Sequence, residues 1–473
     1  MNKRNLIIVL MILISMQGTA QTVMTLKQCV ETGIANNFDV LQRQLQAQSD
    51  EANWKQSRLN IFPDLNASAG HSFNQGRSID PYSNVPVTQA FNSSSYGVSS
   101  NVILFNGFAT RNNIKQNSLT YKASSMEWQQ EKDNLTVNII LAYLQVLSNA
   151  DQYEQAKNQL GLTGKQVERL NVLDQQGAVR PLIVSDLKGQ LAADQLAIIN
   201  AQNALETAKV NLSRLMNVPY NKDLVVEKIQ PESLVAAYDN SPGDIYATAL
   251  KQLALIKAVD LRQESAEKEV KVARGQLFPT LSFGAGAATN YVNVAQQNKY
   301  INTVYGPTSD TVTVNNTKYP VFRFQDKYTD ATRIGYSDQL NNNFSTSFGF
   351  NLRIPIFNSL MQRNRVKQAK IRYKSAELTA KTTKTQLSQD IEQAYFNMTS
   401  ASDRYKTSME QVSAYEQSFK TAGTLFQQGV STSIDYLTAK NNLDRANINL
   451  IIARYDLVLR SKILDYYQGK QLW

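Results

Sequence analysis

The chain has 473 residues and a net charge of +10, from 49 Lys+Arg against 39 Asp+Glu, with one cysteine and one histidine. A lone cysteine excludes a disulfide framework, and neither residue type is numerous enough to build a metal site. The positive balance contains no basic run that would organise nucleic acid, and no nucleophile–base pair or Gly-rich phosphate loop is present, so no catalytic residue, cofactor, metal or nucleic-acid partner is expected.

Residues 1–20 read as an export signal: Lys3 and Arg4, an apolar run from Leu6 to Ile14, then the small residues Gly18-Thr19-Ala20. No later stretch reaches the ~20 uninterrupted apolar residues of a membrane helix. Cys29 follows Leu26-Lys27-Gln28, which lacks the small residues that precede a lipid-modified cysteine, and is read as a small core residue. Thr25-x-x-Gln28 forms a capping box, opening a helix that is expected to run to Phe62-Pro63. Proline cannot continue a helix and pushes its predecessor toward extended geometry, so a strand follows.

That strand, about 62–75, sets Leu65, Ala67, Ala69 and Phe73 against Asn66, Ser68, Gly70 and Ser72. After a loop, a second strand at about 92–106 sets Tyr96, Val98, Val102 and Leu104 against Ser95, Gly97, Ser99 and Asn101. Beyond Phe105-Asn106-Gly107 the pattern is helical to Gly177, with no proline, a length of about 100 Å at 1.5 Å per residue. Glycine ends the helix, and a return helix follows with a seven-residue series, Leu191, Ile198, Leu205, Leu212 alternating with Asp194, Ala201, Ala208, Leu215.

The same order then recurs. Ser241-Pro242-Gly243-Asp244 opens a helix that is expected to run to Phe278-Pro279. Strands are expected at about 278–294 and 343–357, the second alternating Phe344, Thr346, Phe348, Phe350, Leu352, Ile354 with Ser345, Ser347, Gly349, Asn351 and Arg353. Between them lies a long segment, Ala295–Asn343, read as a loop, with the alternation at Thr311–Val314 leaving short strands inside it open. A helix to Gly429 and a second return helix, with Leu443, Leu450, Leu457 and Leu464, complete the chain. Landmarks keep one offset, since 356 − 104 and 429 − 177 both give 252. The expected organisation is a signal (1–20) and two copies of one helix–strand–strand–helix–helix unit, 21–240 and 241–473.

Strands of about ten residues, apolar on one face and small or polar on the other, are the signature of a membrane β-barrel. Tyr96, Val98, Val102, Phe283, Phe348, Phe350, Leu352 and Ile354 are the expected lipid-facing residues. Four strands cannot close a barrel, because the smallest need eight, and an open edge in lipid leaves backbone groups unpaired. The chain is therefore expected to form a cyclic oligomer, three copies supplying twelve strands.

The duplicated order, the Phe-Pro junctions, the Leu-Phe-Asn-Gly strand end and the Gln-Gln-Gly helix ends make the chain resemble the TolC-type outer-membrane channel proteins. That resemblance implies a mixed α/β membrane protein, a homotrimer whose twelve-stranded β-barrel is continued by an α-helical coiled-coil barrel through the periplasm. It implies a periplasmic adaptor and an inner-membrane pump as partners, docking at the helix turns Gln176, Gly177, Gln428, Gly429 and Val430. The closing end would lie at Gly177–Asp186 and Gly429–Asp435, with Asp435 matching one family aspartate. A second family aspartate falls at Thr438, a family arginine at Ser431 and a family tyrosine at Phe426, so the family's lock is incomplete here. Asp186 is expected to face the same way as Asp435, one turn along. Thr432-x-x-Asp435 is also a capping box, which by itself explains an aspartate there. The expected function is an exit duct for small toxic compounds, drugs or metal ions. The alternatives are the outer-membrane part of a type I polypeptide secretion system and an exported coiled-coil scaffold that never inserts.

Overall fold

The computed structural model describes residues 23–79, 84–88, 90–229, 240–470 and 472, so the expected signal lies outside the described residues. In chain order the elements are β1 (Val23–Met24), α1 (Leu26–Asn36), α2 (Phe38–Leu59), β2 (Asn66–Asn74), β3 (Arg77–Ile79), β4 (Pro86–Thr88), β5 (Phe91–Phe105), α3 (Ala109–Gln175), α4 (Pro181–Met216), β6 (Val225–Val226), α5 (Pro242–Gln252), α6 (Ala254–Gly275), β7 (Thr280–Val292), β8 (Gln296–Gln297), β9 (Tyr300–Val314), β10 (Thr317–Tyr328), β11 (Thr332–Arg333), α7 (Tyr336–Asn342), β12 (Ser345–Arg353), α8 (Met361–Gln427) and α9 (Ser433–Tyr467). They form two compact units, one of Met1–Trp54, Lys115–Glu267 and Lys370–Trp473, the other of Lys55–Ile114 and Lys268–Ala369.

In the first unit the helices begin where their capping residues predict. Thr25 and Ser241 each accept from the N3 backbone N–H, and Gln28 and Asp244 reciprocate. The single helix expected to reach each Phe-Pro is instead two, broken at Asn37 (ψ 126°) and at Leu253 (ψ 133°). Asn37 Oδ1 restarts the first by accepting from the N–H groups of Asp39 and Val40, at 3.0 and 3.3 Å. The second restarts at Leu255, whose N–H donates to Gln130 Oε1 at 3.0 Å. Local hydrophobic period carries straight through both breaks, so it does not reveal them.

The long helices α3 and α8 are 67 residues each, unbroken at Gly161, Gly164 and Gly423. Every heptad position read in α4 and α9 is buried or half-buried, including Leu205, Leu212, Leu457 and Leu464. The largest core cluster joins Cys29 and Val30 of α1 to Ile139, Tyr143 and Leu147 of α3 and Leu212 of α4. Cys29 is fully buried there, and burial pushes its thiol up to about 12. Tyr143 Oη donates to the Glu227 carbonyl at 2.8 Å, beside the parallel pair of β1 and β6.

The second unit is a four-stranded antiparallel sheet in the order β12–β7–β5–β2. Its register puts Val98 between Ala67 and Ala287, and Phe283 between Val102 and Phe350, so the apolar residues of all four strands share one face. Opposite pairs on the other face are Ser68–Gly97, Asn101–Gly284 and Ser347–Gly286, all small or polar. Among the described residues nothing covers the apolar face: Phe348, Phe350 and Leu352 are 82, 71 and 61% exposed. Among the described residues, no helix is long and apolar enough to cross a membrane.

Three sequence expectations change here. A bulge between Ile103 and Phe105 pairs Phe105 with Leu281 and leaves Leu104 outside the ladder, so Leu104 does not continue the Val102 face. The last strand stops at Arg353, one residue before Ile354, because Pro355 cannot donate to a ladder. Residues 295–343 are largely a hairpin of two long strands, β9 and β10, rooted by the β8–β11 pair and α7 rather than forming an irregular loop. Buried Gln339 fixes that root, taking the Val292 N–H at 2.9 Å and donating to the Val292 and Ile334 carbonyls at 2.9 Å each.

Candidate functional site

Each long helix turns back through the same local device. Gly177 and Gly429 adopt φ of +68° and +74°, the left-handed conformation open to glycine. The N–H groups of Gly177 and Ala178 donate to Asp174 and Leu173, each at 2.8 Å, and those of Gly429 and Val430 to Phe426 and Leu425, at 3.2 and 2.9 Å. This is the Schellman closure, which satisfies the last carbonyls of a helix. Gln176 and Gln428 occupy the cap positions immediately before the two glycines.

The return helices start differently. Pro181 begins α4 without a side-chain cap, whereas Thr432 and Asp435 form a complete capping box on α9. Asp435 Oδ2 accepts from the Thr432 hydroxyl at 2.7 Å and from its N–H at 3.0 Å. Those bonds hold the Asp435 carboxyl below its usual range. Asp435 and Thr438 are exposed; Asp186 is half-buried and accepts instead from Ser433 Oγ at 2.9 Å. Asp186 therefore binds α4 to α9. The sequence gives no sign of this pairing, because 247 residues separate the partners.

Beneath the turns lies a cluster of Val167, Leu170, Val184, Leu187, Phe426 and Tyr436. The Tyr436 ring stacks on Phe426, centroids 4.9 Å apart at 19°, and meets Phe419 at 5.5 Å. Phe426 is thus a packing residue. Burial, then the charges of Asp444 and Asp194, push the Tyr436 phenol up.

Deeper along the same helices, Lys440 and Asp194 are almost completely buried. Asp194 also accepts from Thr163 Oγ1 at 2.5 Å and Gln190 Nε2 at 2.8 Å, while Lys440 Nζ donates to Asp444 at 2.7 Å. Lys440 is not among the residues that the sequence marks out. The available signal was Asp194 itself, a carboxylate at a heptad seam that needs a buried partner.

Three apolar side chains at the turns are exposed: Leu182, Val430 and Ile434, by 70, 72 and 69%. The turns therefore present uncovered hydrophobic side chains beside exposed polar ones such as Gln176, Arg180 and Gln428. On the sheet, Tyr96, Val98, Val102, Phe283, Phe348, Phe350 and Leu352 lie on the common apolar face, and Ile354 stands just past its end.

A family model described as outer membrane efflux protein matches residues 30–218 and 245–469. Over 387 residues the chain is 21% identical to outer membrane efflux protein BepC of Brucella suis, covering 81% of this chain and 74% of that protein. It is 22% identical over 414 residues to outer membrane protein TolC of Vibrio cholerae, covering 85 and 81%. The fold is similar to a crystal structure of CusC, with a TM-score of 0.75 at 16% identity over 94% of this chain and 92% of that one.

Proposed function

Because the chain belongs to the outer membrane efflux protein family and so resides in the outer membrane, extending into the periplasm, we propose that it is the passive exit duct of a tripartite efflux system. Three copies close one twelve-stranded barrel, and the helical units of the trimer provide the periplasmic conduit. Cargo consists of small toxic compounds, drugs or metal ions, chosen by the pump rather than by the duct. No side chain performs chemistry on it.

The observation that carries this reading is a sheet whose apolar face is exposed and whose two outer strands, among the described residues, each lack a partner. In hydrocarbon the face is stable but the edges are not, since every unpaired N–H and C=O there is costly. Only further strands resolve both, and identical copies supply them with closed symmetry. The repeated 252-residue spacing supports a duplicated unit: α3 and α8 begin 361 − 109 and end 427 − 175 residues apart, 252 in each case.

The two glycine turns are the docking place for a periplasmic adaptor, through Gln176, Gly177, Gln428, Gly429 and Val430. Exposed Leu182, Val430 and Ile434 offer apolar surface for such a contact. Asp435 and Thr438 lie toward the entrance, where symmetry gathers three carboxylates that favour cations; Asp186 supports them from behind through Ser433.

Detergent extraction followed by mass measurement and planar-bilayer recording tests the reading. A trimer that conducts is the expected result. A protein released from membranes by salt alone, monomeric and without conductance, would instead be a scaffold that does not insert.

A further inference from the structure

We propose that the hairpin of β9 and β10 lies on the outer leaflet of the bilayer, its aromatic face among the lipid headgroups and the near ends of the acyl chains. The proposal rests on the duct reading and adds to it a second lipid contact, outside the barrel wall.

The hairpin is not self-supporting. Its root is packed, with Val292, Ala295, Ile334 and Gln339 all buried, but no residue from 296 to 333 is buried. A two-stranded ribbon with neither a third strand nor a helix against it is marginally stable in water. Strands of 15 and 12 residues in that condition need a surface to lie on.

The register shows which face meets it. Residues directly opposite one another share a face, and faces alternate along each strand. Tyr305 stands opposite Phe324, Thr303 opposite Asp326 and Tyr300 opposite Tyr328, with Phe322 next on the same side of β10. Tyr305 meets Phe324 and Phe322 with ring centroids 5.1 and 6.0 Å apart, and Tyr300 meets Tyr328 at 5.9 Å. These five rings are 50 to 73% exposed. The one charge among them, Asp326, accepts from the Thr303 hydroxyl at 2.6 Å. Over the same stretch the reverse face holds Arg323, Gln325 and Lys327 against Gly306, Val304 and Asn302. Rings on one face and cations on the other are the pattern of an element that lies in the membrane interface.

The root fixes the medium beside the rings. β11 leads into α7, which sets Tyr336 on the lipid-facing side of the sheet. The Tyr336 ring lies 4.7 Å from that of Tyr291, and its hydroxyl donates to that of Tyr96 at 2.9 Å. Tyr291 stands on the same face of β7 as Phe283, and Tyr96 on the matching face of β5. In the duct reading these tyrosines mark the outer rim of the apolar band, where such rings sit at headgroup level. The hairpin therefore springs from the membrane's own interface. Tyrosine hydroxyls and the capped Asp326 suit a layer that still holds water, whereas an exposed ring face of this size in bulk water would need another partner.

Spin labels read the contact residue by residue. Phe322→Cys, Phe324→Cys and Tyr328→Cys on the aromatic face, and Arg323→Cys and Lys327→Cys on the reverse, each carry a nitroxide in the full chain. Buried Cys29 stays unlabelled. The protein is reconstituted in vesicles of phosphatidylethanolamine and phosphatidylglycerol, and collisions with oxygen, which concentrates in lipid, are compared with those of a water-soluble nickel chelate. The oxygen-to-nickel ratio should be high at the first three positions and low at the other two. Labels at Phe350→Cys and Asn351→Cys test the duct in the same samples. A water-like ratio at the three aromatic positions, with a lipid-like one at Phe350, overturns the hairpin contact and leaves the duct standing. Labels shielded from both probes on the aromatic face mean that protein covers it, a second copy or another chain, and overturn the contact as well. A water-like ratio at Phe350 removes the duct reading, and the hairpin contact with it.

Discussion

Lys440 of α9 lies 3.2 Å from the Asp194 carboxylate of α4, with only 3 and 6% of the two side chains exposed. The pair ties the two return helices together below their turns, and it explains a charge in a leucine seam. Removing the lysine strands Asp194 beside Asp444, whose carboxyl burial already pushes up. Lys440→Ala is expected to destabilise the helical unit by about 3–5 kcal/mol, the usual result of orphaning a buried charge. Lys440→Met combined with Asp194→Leu should recover much of that loss. Chemical denaturation of the detergent-solubilised protein compares the two, and equal stability of the single and double variants would contradict the pairing argument.

The capping box at Thr432 and Asp435 makes a pH prediction. Hydrogen bonds from Thr432 lower the Asp435 pKa from its ordinary 3.8. A depressed carboxylate contributes its stabilisation fully above the ordinary value and loses it as pH falls through the lower folded one. Hydrogen-exchange protection at the start of α9, corrected for intrinsic rates, should therefore be equal at neutral pH and in mild acid, and fall only below 3.8. Thr432→Ala should lose this protection at every pH. Fraying of the wild-type helix already in mild acid would show that the cap is not held this way.

Asp435 should also matter to ions. If three copies bring this carboxylate around the axis, Asp435→Ala weakens block by multivalent cations added on the periplasmic side in planar bilayers. Asp435→Glu should retain it. Identical block in all three proteins would leave the residue with its capping role alone.

Two kinds of glycine are separable by experiment. At Gly177 and Gly429 an added Cβ meets nothing within 4 Å, so alanine there costs only the left-handed conformation, roughly 1–2 kcal/mol. At Gly107, also left-handed, a Cβ would lie 2.4 Å from the Gly275 carbonyl oxygen and 2.7 Å from Phe278 Cβ. Gly107→Ala should therefore sharply reduce the yield of assembled protein, whereas Gly177→Ala should be mildly less heat-resistant. Comparable yields from both variants would refute the close approach at the strand-to-helix corner.

Phe350 packs on Phe283, ring centroids 5.2 Å apart, at the centre of the uncovered apolar face. Phe350→Arg should destabilise the inserted barrel by about 2–4 kcal/mol if the position lies at mid-bilayer. Asn351→Arg, on the opposite face, should insert normally and change conductance. Urea-dependent unfolding in lipid vesicles measures the first, single-channel recording the second. Normal stability of the Phe350 variant would remove that face from the lipid.

Elements with a strong local signal were readable one residue at a time. The capping boxes at Thr25 and Ser241 and the glycine ends at Gly177 and Gly429 are written in side chains that act on their own neighbours. The alternation of Phe348, Phe350 and Leu352 against Ser347, Gly349 and Asn351 named the faces of β12 because the period of a strand is two. Where local preference is weak, distant contacts decide the structure. The break at Asn37 is marked only by the asparagine that caps the restarted helix, the break at Leu253 depends on the distant Gln130, and the polar, aromatic stretch 300–328 shows its strands only through the hairpin pairing.

By itself the sequence determined the periods, the turns and the two-faced strands. These are short-range properties, fixed by backbone sterics and by where water is excluded. Only the tertiary structure decided which distant charges meet, as Lys440 meets Asp194 and Asp186 meets Ser433, and that a bulge removes Leu104 from its strand face. Such contacts depend on the relative rotation and register of whole elements, quantities set by the sum of many weak packing terms and by no single residue.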